Sequence, residues 1–171
     1  MVLESIDKRK EINNLTIYHQ NIRSLNKKKD KINIMLQESR GRLHLVCLSE
    51  HYMRKEEILD FTFPGYKLAN CFCHKTYSHG GVCILARNDM TYQAIDLNKL
   101  CKEKVFEKSA AKLNTCSAKV TLCCVYRSPS GNPNYFLELL EKTLNLLYQP
   151  NVSPVICGNL NINFLVDSSV K

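Results

Sequence analysis

Pro154-Val-Ile-Cys-Gly-Asn-Leu-Asn-Ile-Asn163 is the stretch that decides how this chain is read. Its first half, Val155-Ile156-Cys157, is an apolar run of β type that stops at Gly158. Its second half releases three amides at alternate positions, Asn159, Asn161 and Asn163. A buried strand that delivers polar side chains at its carboxyl end is how α/β proteins commonly place functional groups. The same residues have an ordinary use, because asparagine also closes turns through its side-chain oxygen.

Three more segments have this form. Leu15-Thr-Ile-Tyr-His-Gln-Asn21 reads as a strand and runs on into Ile22-Arg23-Ser24-Leu25. Leu43-His-Leu-Val-Cys-Leu-Ser49 is nearly continuous in apolar residues, as a strand covered on both faces would be, and it ends in Glu50-His51. Ala118 to Tyr126 is a third apolar strand, followed by Arg127-Ser128-Pro129-Ser130. Together the four ends supply amides, one carboxylate, and a phenol beside a guanidinium. Cleaving a phosphodiester needs oxygen ligands for a hard cation, donors for charge developing on phosphate, and a proton-handling group. Glu50 and Asn21 suit the cation, and Tyr126, Arg127 and Asn161 suit the donor role. No residue of the set is a base. Singly, each has a plain alternative: a turn for Asn21 or Asn159, an exposed carboxylate for Glu50, core for Tyr126, surface for Arg127. His19, His51 and His79 read as structural.

Between these ends the pattern fills in. Asn26 is expected to cap a helix to about Arg40, with Ile32, Met35 and Leu36 as its apolar stripe. A helical turn follows over 54–59, then a Pro64-Gly65 turn. A meander of antiparallel strands is predicted over 66–73, 81–86, 92–97 and 105–113, with Gly80-Gly81 and Asn88-Asp89 as turns. A helix runs from Pro133 or Asn134 to about Tyr148, with Phe136, Leu139, Leu140, Leu144 and Leu147 inward. The order implies an α/β fold of sheets covered by helices.

With 171 residues, 44% hydrophobic and 23% charged, the chain has the make-up of one globular domain. Residues 1–14 form a polar arm, and 15–171 form the domain. Its 24 basic residues against 16 acidic leave a net charge of +8, which suits a polyanion. Part of that excess, Lys27-Lys28-Lys29 and Lys31, also fits a solvated helix start. Nine cysteines at irregular spacing, several inside apolar runs (Cys47, Cys83, Cys123, Cys124, Cys157), read as reduced core residues in an intracellular setting. Cys71-Phe-Cys73-His74 admits zinc as the minor option, with core packing the stronger one. No apolar run is long enough to span a bilayer.

Five segments in order carry a family resemblance: His19-Gln-Asn-Ile-Arg-Ser-Leu25, Cys47-Leu-Ser-Glu-His51, Gly80-Gly-Val-Cys-Ile84, Tyr126-Arg-Ser-Pro-Ser-Gly-Asn132 and Ile156-Cys-Gly-Asn-Leu-Asn-Ile-Asn163. Across Leu15 to about Val166 the chain resembles the endonuclease domain of insect-type non-LTR retrotransposons. These belong to the DNase I-like endonuclease/exonuclease/phosphatase superfamily. The resemblance implies a four-layer α/β sandwich, two mixed β-sheets flanked by helices, and a magnesium- or manganese-dependent DNA endonuclease. It places Asn21 and Glu50 at the metal, Tyr126 at a phosphate, and Asn161 near the scissile phosphate. Arg23, Arg127 and Ser128 are then expected to contact nucleic acid. Asn159 stands where the family has a catalytic aspartate, and the family's later aspartate and aspartate–histidine pair find no match before Lys171. The resemblance therefore implies an incomplete, degenerate copy whose C-terminal part is missing. Its catalysis is impaired or lost, and it binds any metal weakly. An exposed sheet edge would be open to association. The alternatives are a catalytically inactive nucleic-acid-binding module and a nonfunctional relic.

Overall fold

A computed structural model of the chain describes residues 14–114 and 119–162. Asn163 and the segment after it, and most of the N-terminal arm, lie outside the described residues. Among the described residues, eight strands form two four-stranded mixed sheets. The first sheet has the order β1-β2-β4-β3, from β1 (Ile17–Asn21), β2 (Leu45–Ser49), β3 (Tyr66–Phe72) and β4 (Val82–Arg87). The second has the order β5-β6-β7-β8, from β5 (Tyr92–Ile95), β6 (Glu107–Asn114), β7 (Lys119–Tyr126) and β8 (Ser153–Asn159). In each, one edge pair is parallel, β1 with β2 and β7 with β8, and the other pairs are antiparallel.

Three apolar clusters define four layers. Val46, Leu48, Cys83 and Leu85 point outward from the first sheet and meet Leu25, Ile32 and Leu36 of α1 (Leu25–Glu38) and Ile58 of α2 (Lys55–Leu59). The alternate residues of the same strands, Leu45, Cys47, Ile84 and Ala86, point inward to Leu122, Cys124 and Tyr126 of β7. On the far side of the second sheet, Phe106, Cys123 and Val125 pack on Phe136, Leu139 and Leu147 of α3 (Pro133–Leu147). Both faces of β2 and β7 are thus covered, which is why their sequences read as unbroken apolar runs. The strand period of two sends every other side chain to a different cluster. This is the expected sandwich of two mixed sheets flanked by helices. Among the described residues no helix is long and apolar enough to cross a membrane.

Several local expectations change. The predicted meander is split between sheets: β3 and β4 pair in the first, β5 and β6 in the second, with buried Met90 at the crossing. Alternating hydrophobicity reports which face of a strand is buried, not which sheet it joins. Asn70, at a bulge in β3, donates across the sandwich to the Ile95 and Ala110 carbonyls at 3.0 and 2.9 Å. α1 is capped by Ser24 rather than Asn26, and Ser24 Oγ accepts from the Lys27 amide at 3.4 Å. Its own amide donates to the Glu50 carbonyl at 2.8 Å, and that bond fixes the helix start earlier. On α3 Leu144 is exposed and Thr143 is buried instead, its hydroxyl satisfied by the Leu139 carbonyl at 2.7 Å.

Candidate active site

The parallel pairing of β1 with β2 brings two sequence-distant ends together. Asn21 lies opposite Ser49, one residue before Glu50. From there Asn21 Nδ2 donates to Glu50 Oε1 at 2.8 Å. Tyr52 Oη donates to the other carboxylate oxygen at 2.5 Å. Glu50 is only 7% exposed, so its carboxylate is held in a largely dry setting by two donors. Sequence reasoning missed Tyr52. Glu50 and Tyr52 both have positive φ, 57° and 59°, and no strand or helix pattern anticipates the resulting bend. Burial and the bond to Glu50 push the Tyr52 phenol up to about 12, so it remains a donor at neutral pH.

The bend is fixed from both sides. The amides of Ser24 and Leu25 donate to the Glu50 and His51 carbonyls at 2.8 and 2.9 Å. The Tyr52 amide donates to the Gly80 carbonyl at 3.0 Å. Gly80 and Gly81 do more than turn the chain. A Cβ on Gly81 would stand 2.4 Å from the His51 ring, and one on Gly80 2.4 Å from the His74 ring. Both glycines have positive φ, so a side chain at either is excluded twice over. His51 is fully buried; its Nε2 donates to the Phe72 carbonyl at 3.0 Å and its Nδ1 accepts the Met53 amide at 3.0 Å. Burial pushes its pKa down to about 4, so it is a neutral structural member. His79 stacks edge-on against Tyr52, with ring centroids 4.6 Å apart.

The second sheet supplies the opposite wall. Tyr126 lies beside Asn159 in the β7–β8 register and is buried between the sheets. Burial first, then the neighbouring Glu50 carboxylate, raise its phenol well above the ordinary tyrosine range. The amides beyond it are committed locally. Asn159 Oδ1 accepts the Asn161 amide at 3.1 Å, closing an Asx turn. Asn161, at φ 49°, turns its own Nδ2 onto the Arg127 carbonyl at 2.6 Å. Gly158 is required here: its Cβ would meet the Val125 carbonyl oxygen at 1.9 Å.

Arg127 needs correction. Sequence reasoning expected it on the surface or on nucleic acid, but it is 5% exposed. Its Nε donates to the Leu160 carbonyl at 2.7 Å, Nη1 to Gly131 at 2.5 Å, and Nη2 to the Asn161 carbonyl. A guanidinium spread over three carbonyls is the buttress of this loop. Ser128 is half-buried, its hydroxyl 3.1 Å from that of Ser130. Arg23 is exposed, at φ 47°, beside the bend. It borders a cleft of about 400 Å³ lined by Asn21, Lys27, Lys28 and Lys31.

The end of β1 and β2 holds a buried side-chain atom without a partner. Asn21 Oδ1 is buried and makes no hydrogen bond. An oxygen left open beside a held carboxylate is the donor set a hard cation takes. The cluster Cys71-Cys73-His74 does not form a metal site. Cys71 and Cys73 lie 4.0 Å apart, but His74 turns away to Glu107, its Nε2 2.7 Å from Oε1. A cleft of about 960 Å³, lined by Arg54, Lys55, Cys71 and Glu103, contains none of the strand-end residues.

No protein-family model and no curated protein matches the chain. Solved structures do. The endonuclease domain of TRAS1, a telomere-specific non-LTR retrotransposon, superposes with a TM-score of 0.65 at 12% identity, over 88% of this chain and 62% of that one. TDP2 of D. rerio, solved with a single-strand DNA product, gives 0.63 at 14% identity, over 87% and 61%. An AP endonuclease from Archaeoglobus fulgidus gives 0.60 at 16% identity, over 87% and 58%. The chain thus spans about three fifths of the length of these structures. From its two mixed sheets, its flanking helices and these superpositions, the chain has the DNase I-like fold of the endonuclease/exonuclease/phosphatase proteins.

Proposed function

We propose that this chain is a retroelement-derived, metal-dependent DNA endonuclease domain that binds metal and DNA but has impaired catalysis. The observation that carries the reading is the Asn21–Glu50 pair, with one amide oxygen unpartnered beside a held carboxylate. Glu50 and Asn21 Oδ1 would hold magnesium or manganese, with water and phosphate oxygens completing its shell. A bound divalent ion supplies charge stabilisation to the phosphate as it is attacked. With one carboxylate in the set, affinity is weak.

The chain's own residues perform the rest. Tyr52 and Asn21 orient the carboxylate. Tyr126, kept protonated by burial, supplies a donor to a phosphate oxygen. Arg127 acts at one remove, by fixing the loop that carries Asn161. Asn159 is the weak point. An amide cannot accept a proton near neutral pH, and its oxygen is already engaged in the turn. Loss of a general acid or base commonly costs about 10²–10⁴ in rate.

DNA as the ligand is supported by the +8 charge and by the lysines at the start of α1. Lysines in a helix's first turns oppose its dipole, whereas an anion there is favoured by both. The structural neighbours include a retrotransposon endonuclease and a protein solved with single-strand DNA. The test compares nicking of supercoiled plasmid by the chain, Asn159→Asp and Glu50→Ala from identical preparations with magnesium and with manganese. No nicking above background is expected from the chain. Nicking that disappears in Glu50→Ala would overturn the reading of impaired catalysis. DNA binding without any turnover, unaffected by metal and by Glu50→Ala, would favour the inactive nucleic-acid-binding module.

A further inference from the structure

Cys47, Cys124 and Cys157 are far apart in sequence, yet their sulfurs all lie within 4.8 Å of one another. Cys47 stands on β2 of the first sheet, facing inward. Cys124 and Cys157 are register partners on β7 and β8 of the second. His19 is the register partner of Cys47 on β1. Its half-buried imidazole lies on the same inward face of β1 as Ile17. Two adjacent positions on one sheet therefore face two adjacent positions on the other. All three thiols are reduced, and Cys47 and Cys124 are fully buried.

We propose that Cys47, Cys124, Cys157 and His19 form a zinc site that pins the two sheets together. Three thiolates and an imidazole are a common structural zinc set, and soft sulfur ligands favour this ion over the hard cations that suit Glu50. Zn–S bonds of about 2.3 Å in a tetrahedron require sulfurs about 3.8 Å apart. The observed grouping needs only a small closure to reach that. His19 Nε2 lies 3.2 Å from Ser49 Oγ, so Nδ1 is the nitrogen assigned to the metal. A hydrogen bond at the far nitrogen fixes ring orientation in such sites. The three thiols lose their protons as zinc binds.

The position gives the site a purpose. Cys47 lies three residues before Glu50, and Cys157 two residues before Asn159. Zinc here would hold the two strand ends of the candidate active site at a fixed separation.

The experiment uses the full chain, purified under reductant, stripped with a chelator, and titrated with Zn²⁺ against a chromophoric competitor. Co²⁺ serves as a spectroscopic stand-in. One equivalent of zinc is expected, with a cobalt–thiolate charge-transfer band, intense tetrahedral visible bands, and a raised Tm on loading. Both Cys157→Ser and His19→Gln should weaken zinc binding at least about tenfold, the lower end seen even for outer-shell partners. Circular dichroism checks that each variant folds, and the half-exposed His19 keeps one test outside the tightest packing. Cys71→Ser should leave the cobalt bands intact. A chain that takes up no zinc would overturn the proposal. So would cobalt bands lost in Cys71→Ser, or zinc affinity unchanged in both Cys157→Ser and His19→Gln. Copper(I) binding without zinc binding would overturn the choice of metal. None of these readouts depends on nuclease activity.

Discussion

The two halves of the candidate site are built from the same device, a parallel edge pair ending in polar residues, but they use those residues differently. At the end of β1 and β2, Asn21 and Tyr52 point at one carboxylate, and an amide oxygen is left open. At the end of β7 and β8, the polar groups bond one another: Asn159 to the Asn161 amide, Asn161 to the Arg127 carbonyl, Arg127 to three carbonyls. The first half leaves a buried polar atom without a partner. The second is arranged to hold a loop. Side chains of one chemical type therefore cannot be assigned one role until their hydrogen bonds are counted.

The two arginines test this contrast most sharply. Arg127→Met should destabilise the fold by about 3 kcal/mol or more, because it leaves carbonyls unpaired in a buried setting. Arg23→Met, at an exposed position, should change stability by no more than about 0.5 kcal/mol. Urea unfolding of both variants decides the matter; similar values for the two would dissolve the distinction between the halves.

Acid should act mainly through the first half. His51 is held neutral with a pKa of about 4 against an ordinary 6.5. Between those values the unfolded chain binds a proton that the folded chain does not. Stability is therefore full above pH 6.5 and falls as pH drops toward 4, by about 3 kcal/mol at most from this group. His19 and His44 are lowered too and add to the trend. Unfolding measured at pH 7.5 and pH 4.5 should show the loss, and His51→Gln should flatten it. An unchanged slope in that variant would remove His51 from the account.

Metal binding should respond to charge at the second half. Asn159→Asp should tighten magnesium about tenfold, by adding a second carboxylate across from Glu50. Asn161→Asp should not, since that side chain faces the Arg127 carbonyl. Calorimetry showing equal gains at both positions would mean that the loop is not fixed as described. The smallest effect concerns DNA. Binding should weaken steeply with salt, and Arg23→Ala should make the log–log salt slope shallower by about 1. A slope unchanged in that variant would place the phosphate contacts elsewhere, the α1 lysines being the next candidates.

Much of the architecture was legible in the chain. The apolar runs at Leu45–Ser49 and Lys119–Tyr126 announced strands covered on both faces, and the stripes of α1 and α3 announced helices lying on sheets. These readings succeed because hydrophobic period is a local property of the backbone. That Asn21, Tyr126 and Asn159 close strands, and that Glu50 follows one, was likewise legible from the apolar runs before them.

Their relations were not. That Asn21 bonds Glu50 depends on β1 pairing with β2 in one particular register. The positive φ values at Glu50 and Tyr52 come from a bend held by α1 and by Gly80, elements that no local pattern links. Arg127 reads as surface from its chemistry, and only the folded loop supplies the three carbonyls that bury it. Cysteines 47, 124 and 157 read singly as small core residues, and stacking one sheet on the other makes them a cluster. Sequence determined which residues are buried and where strands end, because those follow from the chain's own periodicity. Tertiary structure decided which buried and strand-end groups meet, because that depends on sheet order and register, set by contacts between residues far apart in the chain.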